Sequence, residues 1–362
     1  MSGGYEKYLR RAIGRLAAHP DVAAVSLVVH TALRERVLAA MRSSDGPVGV
    51  TVVDRFVHPI LRQASSEFAK HLESFRPSVV FIPNSRFMAT TRWPLVIMVR
   101  NMEPLAWRRN ADPLKRRLVN KARRHETRIA ARSATRVIAV SQFVRSFLIE
   151  KWSVPSERVA VVYHGADQEE SIEPTRPESL SQPEVEAGFV FSAGSITPSR
   201  GLEDLLLSTV ARPERGRPVV IAGGADPSVP GYAERLRAQA PETVWTGPLT
   251  EAEMAWCYKN CSTFVMTSRV EACPNVGLEA LSHGCVVVSA DNPPLPEIFG
   301  DAAVYYQAGD VTSLKSQLTR VDAWEKSQRD RASSAARARA AQFTWRGTVD
   351  ATVGLLKQAA GA

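Results

Sequence analysis

The sequence predicts an α/β protein built from two parallel sheets, one in each half of the chain. Short apolar, β-branched runs alternate with helix-like stretches in both halves, which is typical of parallel strands joined by helical crossovers. The chain has 362 residues, more than the size at which one hydrophobic core usually stops growing. We therefore expect two domains.

Six strands are predicted in each half. In the first half they are DVAAVSLVV, VGVTVV, SVVFIP, PLVIMV, RVIAVS and RVAVVYH; in the second half they are GFVFSAG, PVVIAGG, TVWTG, STFVMTS, CVVVSA and AAVYY. Helix-like stretches such as LRQASSEFAKHLESF separate them, and the last forty residues give two more helices. Between the halves, DQEESIEPTRPESLSQPEVEA is rich in Pro, Glu and Ser. That composition predicts a mobile linker.

The composition excludes several classes of protein. The longest apolar runs, such as VAAVSLVV and PLVIMV, are far shorter than the roughly 18 residues that a membrane-spanning helix needs. The N-terminus has no secretory apolar region, so we expect a cytoplasmic protein. The four cysteines form no CxxC pair and have no histidine cluster beside them. We expect reduced, mostly buried thiols and no zinc site.

The net charge of +9 conceals a difference between the halves. Residues 1–168 carry 28 Lys and Arg against 13 Asp and Glu, whereas residues 169–362 carry 18 against 24. Most of the basic excess lies in a helical pattern over residues 108–136. This pattern fits either a solvated helix face or a face that docks on an anionic membrane surface or an anionic acceptor. Nucleic acid is disfavoured because no recognised binding module accompanies the charge.

The stretch TSRVEACPNVGLEALSHG contains the most informative pair of residues, Glu271 and Glu279, with seven residues between them. The apolar run before it predicts a buried strand, and VGLEALSHG predicts a short helix that Gly284 ends. Pro274 suits the first turn of that helix. A loop carboxylate, a helix N-terminus and a second carboxylate inside the helix together form a site for a polyhydroxyl group beside a phosphate.

This pattern resembles the E-x7-E signature of the retaining GT-B glycosyltransferases, particularly those of family 4. The segment FVFSAGSITPSRGLEDLLLS resembles the donor-phosphate loop of that family. VIAVSQFVRSFL and VAVVYHGAD resemble the end of its N-terminal domain, and DNPPLPEIFGDAAVYY resembles the stretch after its signature. The resemblance extends from about Gly3 to the C-terminus.

The resemblance implies a GT-B fold, in which two Rossmann-like domains with parallel sheets face an interdomain cleft. Residues 1–168 would form the acceptor-binding domain, residues 169–187 the linker and residues 188–342 the nucleotide-sugar-binding domain. A helix within residues 343–362 would cross back to the N-terminal domain. Ligands of open parallel sheets bind at the carboxyl ends of the strands, so we expect the active site in the cleft.

The resemblance also implies roles for individual residues. Glu271 would contact the transferred sugar, and Arg200 would supply a cation for the donor phosphates. Ser195 stands where the family often has an arginine, which weakens the expected diphosphate site. We assign catalytic roles to Glu271 and Arg200, and donor-binding roles to Gly194, Ser195, Asn275, Val276, Gly277, Leu278 and Glu279. Glu279 would accept hydrogen bonds from the ribose, and main-chain N–H groups would meet the phosphates.

The acceptor side is predicted from VRNMEP, which follows a strand. Arg100, Asn101 and Glu103 occupy the place where many relatives carry a His-Asp pair. They suit an acceptor phosphate or a sugar hydroxyl, or they fix the loop. His164 replaces a common asparagine and fits a polar structural residue better than a catalyst.

The predicted function is that of a retaining, metal-independent hexosyltransferase. It would move a sugar from a nucleoside diphosphate to a polysaccharide or lipid-linked glycan, in the cytoplasm or at the inner face of the membrane. It needs no cofactor, and no DxD motif suited to Mg²⁺ is present. Two alternatives remain open: a catalytically silent partner subunit and a nucleotide-sugar epimerase.

The start of the chain lacks one expected element. MSGGYEKYLRRAIGRL resembles the Gly-rich turn and helix that follow the first strand of relatives, and no apolar strand precedes it. That strand is central in a doubly wound sheet, so its absence would leave unpaired backbone groups. We expect the natural start to lie upstream of Met1; otherwise another segment fills the gap, or the domain is loose around Gly3 and Gly4.

Overall fold

The chain folds into two compact α/β units in the computed structural model. The structure describes residues 3–41, 48–54, 65–88, 92–107, 112–166, 172–181, 188–210 and 217–361. The first unit consists of Met1–Arg100, Ala122–Gly165 and Thr344–Ala362, and the second of Asn101–Lys121 and Ala166–Phe343.

The helices and strands have the following bounds. The helices are α1 Gly3–Ala17, α2 Arg34–Met41, α3 Ser66–Phe75, α4 Glu103–Ala106, α5 Leu114–Ser133, α6 Gln142–Ser146, α7 Leu202–Val210, α8 Tyr232–Gln239, α9 Glu251–Asn260, α10 Asn275–Ser282, α11 Leu295–Phe299, α12 Val311–Asp322, α13 Lys326–Ala340 and α14 Trp345–Ala360. The strands are β1 Val25–His30, β2 Val48–Val53, β3 Val80–Ile82, β4 Leu95–Val99, β5 Arg136–Ala139, β6 Val159–Val161, β7 Val190–Ala193, β8 Val219–Ala222, β9 Val244–Gly247, β10 Thr263–Met266, β11 Val287–Ala290 and β12 Ala303–Tyr306.

Strands β2 to β12 lie within runs predicted from the sequence, and β1 extends one residue beyond its run, to His30. The alternating α/β pattern is therefore confirmed. The cysteines are also as predicted: all four are free, and three are buried. Burial raises the pKa of the Cys257 thiol to about 12, with smaller contributions from Cys261 and Glu253. This thiol is therefore protonated and unreactive at neutral pH. Within the described ranges no helix is long and apolar enough to cross a membrane.

The second unit is organised around one parallel sheet with the strand order β12-β11-β10-β7-β8-β9. Strands β7, β8, β10 and β11 are buried along their whole length. Parallel strands that are covered on both faces have near-continuous apolar sequences, which explains why these four were easy to predict. The strand order reverses between β7 and β10, and such a switch point is where open α/β sheets bind ligands.

The first unit has two separate parallel sheets among its described residues. One contains β1 and β2, and the other has the order β3-β4-β5-β6. Helix α14 packs against α1 and against β4 and β5. Its first residue, Trp345, is buried against Gly165, where a Cβ atom would lie 2.4 Å from the Trp345 backbone nitrogen.

Part of the predicted linker is ordered against the second unit. Leu180 is fully buried, and the Arg176 guanidinium stacks 5.5 Å from the centre of the Trp256 ring. A mobile linker is thus the wrong description of residues 172–181, because one apolar and one cationic side chain find partners there. Residues 167–171 and 182–187 of this stretch lie outside the described residues.

Residues 101–121 cluster with the second unit, although the predicted boundary lies at residue 168. The buried Arg116 explains this packing. Its guanidinium forms a close ion pair with Glu103, lies 3.7 Å from Asp112 and 3.9 Å from Asp226, and donates to Ser228 Oγ at 2.9 Å. Residues 108–111, which begin the predicted basic segment, lie outside the described residues.

We predict that Arg116→Ala destabilises the protein, because it leaves three carboxylates close together without their cation. Removing one partner of a buried ion pair costs about 3–5 kcal/mol, and we expect the lower end because Glu103 and Asp226 reach solvent. At about 2–4 °C per kcal/mol, the melting temperature should fall by roughly 6–12 °C.

The matched control is Arg117→Ala, since Arg117 is the exposed neighbour on the same helix. It should leave the melting temperature nearly unchanged. Equal effects of the two substitutions in a thermal melt would contradict the structural role of Arg116.

Candidate functional site

The carboxyl ends of β7 and β10 carry the two residues assigned catalytic roles. Because these strands are adjacent and parallel, the loops that follow them leave the sheet at the same edge. Arg200 ends a single helical turn after β7, and Glu271 follows β10. Arg200 Nη1 donates to Glu271 Oε1 at 2.7 Å and to Ser268 Oγ at 3.3 Å. Arg200 and Glu271 are therefore hydrogen-bonded to each other at the switch point of the sheet.

This ion pair remains open to solvent. The Arg200 side chain is 23% exposed and the Glu271 side chain 15% exposed. A guanidinium binds anionic oxygens through a planar fork of donors, and a carboxylate accepts hydrogen bonds from hydroxyl groups. A ligand that carries both an anion and neighbouring hydroxyls can thus engage both partners.

Two residues that the sequence analysis did not single out, Asp204 and Arg269, hold the loop that carries Glu271. Arg269 Nη2 donates to Asp204 Oδ1 at 2.5 Å. The Tyr306 hydroxyl and the Gly309 N–H each donate to Asp204 Oδ2 at 3.2 Å. Asp204 is only 3% exposed, so these donors are what satisfy its buried charge.

Backbone contacts join the same two loops. The Arg269 N–H donates to the Ser199 carbonyl at 2.7 Å, and the Thr267 hydroxyl donates to the Arg200 carbonyl at 2.7 Å. Asn292 Nδ2 donates to the Arg269 carbonyl at 3.0 Å. These three hydrogen bonds fix the loop that carries the Glu271 carboxylate.

Gly194 has a different role from the one predicted. Its N–H donates to the Ala222 carbonyl at 2.9 Å, so this N–H is already used inside the sheet. Its φ is +126°, and a Cβ atom there would lie 2.7 Å from Arg200 Nη2. Gly194 thus makes room for the guanidinium, which corrects its assignment as a phosphate donor. Ser195, the next residue, is exposed.

The N-terminus of α10 is open. Pro274 precedes the helix and offers no side-chain cap, and Leu278 N–H is bonded to the Pro274 carbonyl at 2.9 Å. The N–H groups of residues 275–277 have no intrahelical acceptor, as in the first turn of any helix, and they form its positive end. Asn275 Oδ1 is buried and has no hydrogen-bond partner among the described residues.

Two of the predicted donor-binding residues instead pack the helix. A Cβ atom on Gly277 would lie 2.6 Å from Cζ of Phe299, so glycine is needed for the contact between α10 and α11. Leu278 is fully buried, and its N–H is occupied by Pro274. The Leu278 assignment is wrong for this reason, whereas the Gly277 N–H still belongs to the open first turn.

Glu279 is held by a residue from another helix. The hydroxyl of Tyr258 on α9 donates to Glu279 Oε2 at 3.0 Å and lies 3.2 Å from the Val276 carbonyl. Burial raises the pKa of Tyr258 well above its usual value, and the Glu279 charge raises it further. The phenol is therefore a permanent donor at neutral pH. Its contact across 21 residues could not be read from the sequence.

Two family models match the sequence. Glycosyltransferase Family 4 matches residues 2–170, and Glycosyl transferases group 1 matches residues 188–322, so that together they cover most of the chain. The chain belongs to the family 4, group 1 glycosyltransferases.

Curated relatives of this family 4 chain include two proteins from Escherichia coli. O-antigen chain mannosyltransferase B is 24% identical over 236 residues, which are 62% of this chain and 61% of that protein. Serotype-specific mannosyltransferase WbdA is 24% identical over 59% of this chain and 28% of its own length. The match therefore spans less than two thirds of either relative.

Solved structures establish the GT-B fold class. The Anabaena protein HepE in complex with UDP and glucose superposes with a TM-score of 0.70 at 18% identity, covering 98% of this chain and 96% of that one. Sucrose-phosphate synthase from Thermosynechococcus elongatus superposes with a TM-score of 0.67 at 15% identity, covering 92% and 98%.

Asn101 and Glu103, two of the three acceptor-side residues predicted from the family 4 pattern, contact residues of the second unit. Asn101 Oδ1 accepts from the Glu103 N–H at 3.0 Å, and the Glu103 carboxylate is paired with Arg116. Both residues therefore stabilise the described part of this segment, residues 101–107 and 112–121. Arg100 belongs to the first unit.

Arg100 contributes to a buried cluster in that unit. Its guanidinium lies 4.9 Å from the centre of the Tyr8 ring, and Tyr8 contacts His164 edge-on at 5.6 Å. Burial lowers the pKa of His164 well below its usual value, and the Arg100 charge lowers it further. The imidazole is therefore neutral at physiological pH, as befits a structural residue.

We predict that Gly277→Ala lowers stability, because the added methyl group meets the Phe299 ring within a packed contact. Overpacking costs about 1–3 kcal/mol. The matched control is Gly354→Ala on α14, where nothing lies within 4 Å of the new Cβ atom. This control should stabilise by about 0.5–1 kcal/mol, since alanine favours a helix. Chemical unfolding of both variants measures the difference, and a Gly277→Ala variant as stable as the control would contradict the packing role.

Proposed function

We propose that this protein transfers a sugar from a nucleoside diphosphate to a glycan acceptor with retention of anomeric configuration. The observation that carries the proposal is the solvent-accessible Arg200–Glu271 pair at the switch point of the second unit. Family membership, the ligands of HepE and the mannosyltransferase relatives support it. A hexose is the proposed sugar.

The proposed donor site uses three groups of the second unit. The diphosphate engages Arg200 and the open N-terminus of α10, both of which favour negative charge. The sugar hydroxyls donate to Glu271, and the ribose hydroxyls donate to the Glu279 carboxylate that Tyr258 holds. The first unit would bind the acceptor.

When the donor binds, the Arg200–Glu271 ion pair must either break or share its two side chains with the ligand. The incoming diphosphate offers Arg200 a replacement anion, and the incoming sugar offers Glu271 replacement donors. Both partners are thus compensated only when the whole donor is bound. As a result, the Glu271 carboxylate would contact the sugar at the same time as the Arg200 guanidinium contacts the phosphate.

Catalysis would rest on orientation and on stabilisation of the leaving diphosphate. As the glycosidic bond breaks, negative charge grows on the diphosphate, where Arg200 and the α10 N–H groups counter it. No side chain is assigned as a covalent nucleophile, and attack by the acceptor hydroxyl would occur on the face from which the leaving group departs. We propose that the reaction needs no metal, so transfer should persist in EDTA.

A silent partner subunit is the second candidate. It is favoured by exposed Ser195, which supplies no cation where the family often has one. Such a subunit would bind nucleotide without transferring or hydrolysing the sugar. A screen of UDP-sugars and GDP-mannose for thermal stabilisation, followed by transfer assays on the best donor, separates the two candidates. A third outcome, conversion of the free donor to its epimer, would identify an epimerase.

We predict that Glu271→Gln affects sugar transfer and binding of the nucleoside diphosphate differently. Transfer should be abolished because the amide cannot replace the carboxylate. Binding of the nucleoside diphosphate alone should be unchanged or tighter, since Arg200 is released from its ion pair. Calorimetry with the diphosphate and with the intact donor makes the comparison. Weaker binding of the bare diphosphate would contradict the proposed exchange.

We predict that substitutions of Glu279 and of its partner Tyr258 weaken nucleotide binding to different degrees. Glu279→Ala removes a charge-assisted hydrogen bond worth about 1.5–3 kcal/mol, or roughly ten- to a hundredfold in Kd. Tyr258→Phe keeps the Glu279 carboxylate but removes the hydrogen bond that holds it. Its effect on nucleotide affinity should therefore be smaller, and it should vanish in the Glu279→Ala background. The test is a double-mutant cycle by calorimetry; additive effects of the two substitutions would refute the coupling.

A further inference from the structure

Two of the free cysteines lie side by side in the second unit. Cys261 Sγ lies 3.8 Å from Cys285 Sγ. Cys261 follows α9 and precedes β10, and Cys285 follows α10 and precedes β11. Because β10 and β11 are adjacent and parallel, the segments that enter them meet at one edge of the sheet. The topology thus brings together two thiols that are 24 residues apart, at the edge opposite to the one that carries Glu271.

Both thiols are directed at one backbone oxygen, the carbonyl of Tyr258. This oxygen lies 3.5 Å from Cys261 Sγ and 3.1 Å from Cys285 Sγ. It belongs to the last turn of α9, where the carbonyls of a helix run out of intrahelical N–H donors. The Cys261 N–H does not serve it, because that group donates to the Cys257 carbonyl at 2.9 Å. The two S–H groups therefore cap the C-terminus of α9.

We propose that Cys261 and Cys285 are the site of a reversible disulfide that forms by exchange with a low-molecular-weight disulfide such as oxidised glutathione. Cys261 is half-buried and reacts first, whereas Cys285 is 4% exposed. The Cys261 sulfur attacks the small disulfide, forms a mixed disulfide and releases one small thiol. The Cys285 sulfur then attacks Cys261 Sγ and releases the second small thiol. Each released thiol takes up the proton of a protein thiol, so two protein thiols are oxidised while one small disulfide is reduced.

Geometry favours this pair over Cys257 and Cys261. The Cβ atoms of a disulfide lie about 3.5–4.5 Å apart, whereas residues four apart on a helix have Cβ atoms about 5–6 Å apart. Cys257 is also fully buried. The sulfurs of Cys261 and Cys285 are already in contact and need to approach by less than about 2 Å.

The resting state of the pair is the reduced one. The hydrogen bond to Cys285 raises the pKa of the Cys261 thiol, and burial raises it further. Since the thiolate is the form that attacks, exchange is slow at neutral pH and faster in alkaline solution. The disulfide would therefore form only when small disulfides are abundant.

Closure of the disulfide removes both S–H donors from the Tyr258 carbonyl. The hydroxyl of the same residue holds the Glu279 carboxylate at 3.0 Å, so a shift of Tyr258 reaches Glu279. We expect the affinity for a nucleoside diphosphate to fall about two- to tenfold, the range for loss of one neutral hydrogen bond. This consequence rests on the proposed role of Glu279 in ribose binding, whereas the disulfide itself does not.

The first test counts thiols in the full chain. The protein is incubated with excess oxidised glutathione in alkaline buffer, alkylated under denaturing conditions and analysed by mass spectrometry. Wild-type protein should lose two hydrogen atoms, carry no glutathione and alkylate at two fewer cysteines than the four of the reduced protein. Peptide mapping should link Cys261 to Cys285, and dithiothreitol should reverse the change.

Three variants separate the steps. Cys285→Ser should stop at a glutathione adduct on Cys261, because the second thiol is gone, and Cys261→Ser should form no disulfide. Serine keeps a donor for the Tyr258 carbonyl, so both variants should fold, which circular dichroism verifies. The matched control is Cys257→Ala, which removes a thiol outside the pair and should still close the disulfide. Retention of all thiols by wild-type protein, or closure in Cys285→Ser, would overturn the proposal.

Calorimetry with UDP and with GDP tests the effect on the donor site. Oxidised wild-type protein should bind more weakly than reduced wild-type protein, and Cys261→Ser should bind equally well with and without the oxidant. Equal affinity of the two wild-type forms would overturn the link from the disulfide to Glu279. If the reduced protein bound neither nucleotide, the proposed function would be contradicted instead, and the thiol count would still decide whether the disulfide forms.

Discussion

The parallel pairing of β7 with β10 is the constraint on which the candidate site depends. Residues 71 positions apart meet at 2.7 Å because these two strands end at the same edge of the sheet. In the resulting ion pair each side chain is the counterion of the other. Under the proposed function, a bare anion would displace the carboxylate without compensating it, whereas a nucleotide sugar would replace both halves of the pair. The ion pair would thus favour the intact donor.

Most of the secondary structure could be predicted from the sequence because burial leaves a local signal. Strands covered on both faces, such as β8 and β10, must be apolar throughout. The linker prediction failed for the complementary reason. A Pro- and Glu-rich composition indicates only that a segment is solvated on average. It cannot show that Leu180 is buried or that Arg176 stacks on Trp256.

The candidate site was predictable only in part. Motif spacing singled out Glu271 and Glu279, and the structure pairs Glu271 with Arg200, but spacing could not separate residues that are free to face a ligand from residues that pack. Gly277 lies at the contact with Phe299 of α11, and Leu278 is fully buried. The supporting contacts were invisible for another reason. The Asp204–Arg269 pair joins loops and helices 65 residues apart, and the Tyr258–Glu279 pair joins the helices before and after β10. Neither pairing has a local signal in the sequence.

The division of the first unit into two sheets has a consequence for its native-state motions. Strands β4 and β5 are almost entirely buried, while β1 and β2 are mostly half-exposed and pair only with each other in the described part of the chain. Regions with few buried apolar contacts open at lower free energy than the core around them. Amide hydrogens of β1 and β2 should therefore exchange with solvent through local opening, long before those of β4 and β5 exchange through global unfolding. The first unit would behave as two cooperative blocks of unequal stability.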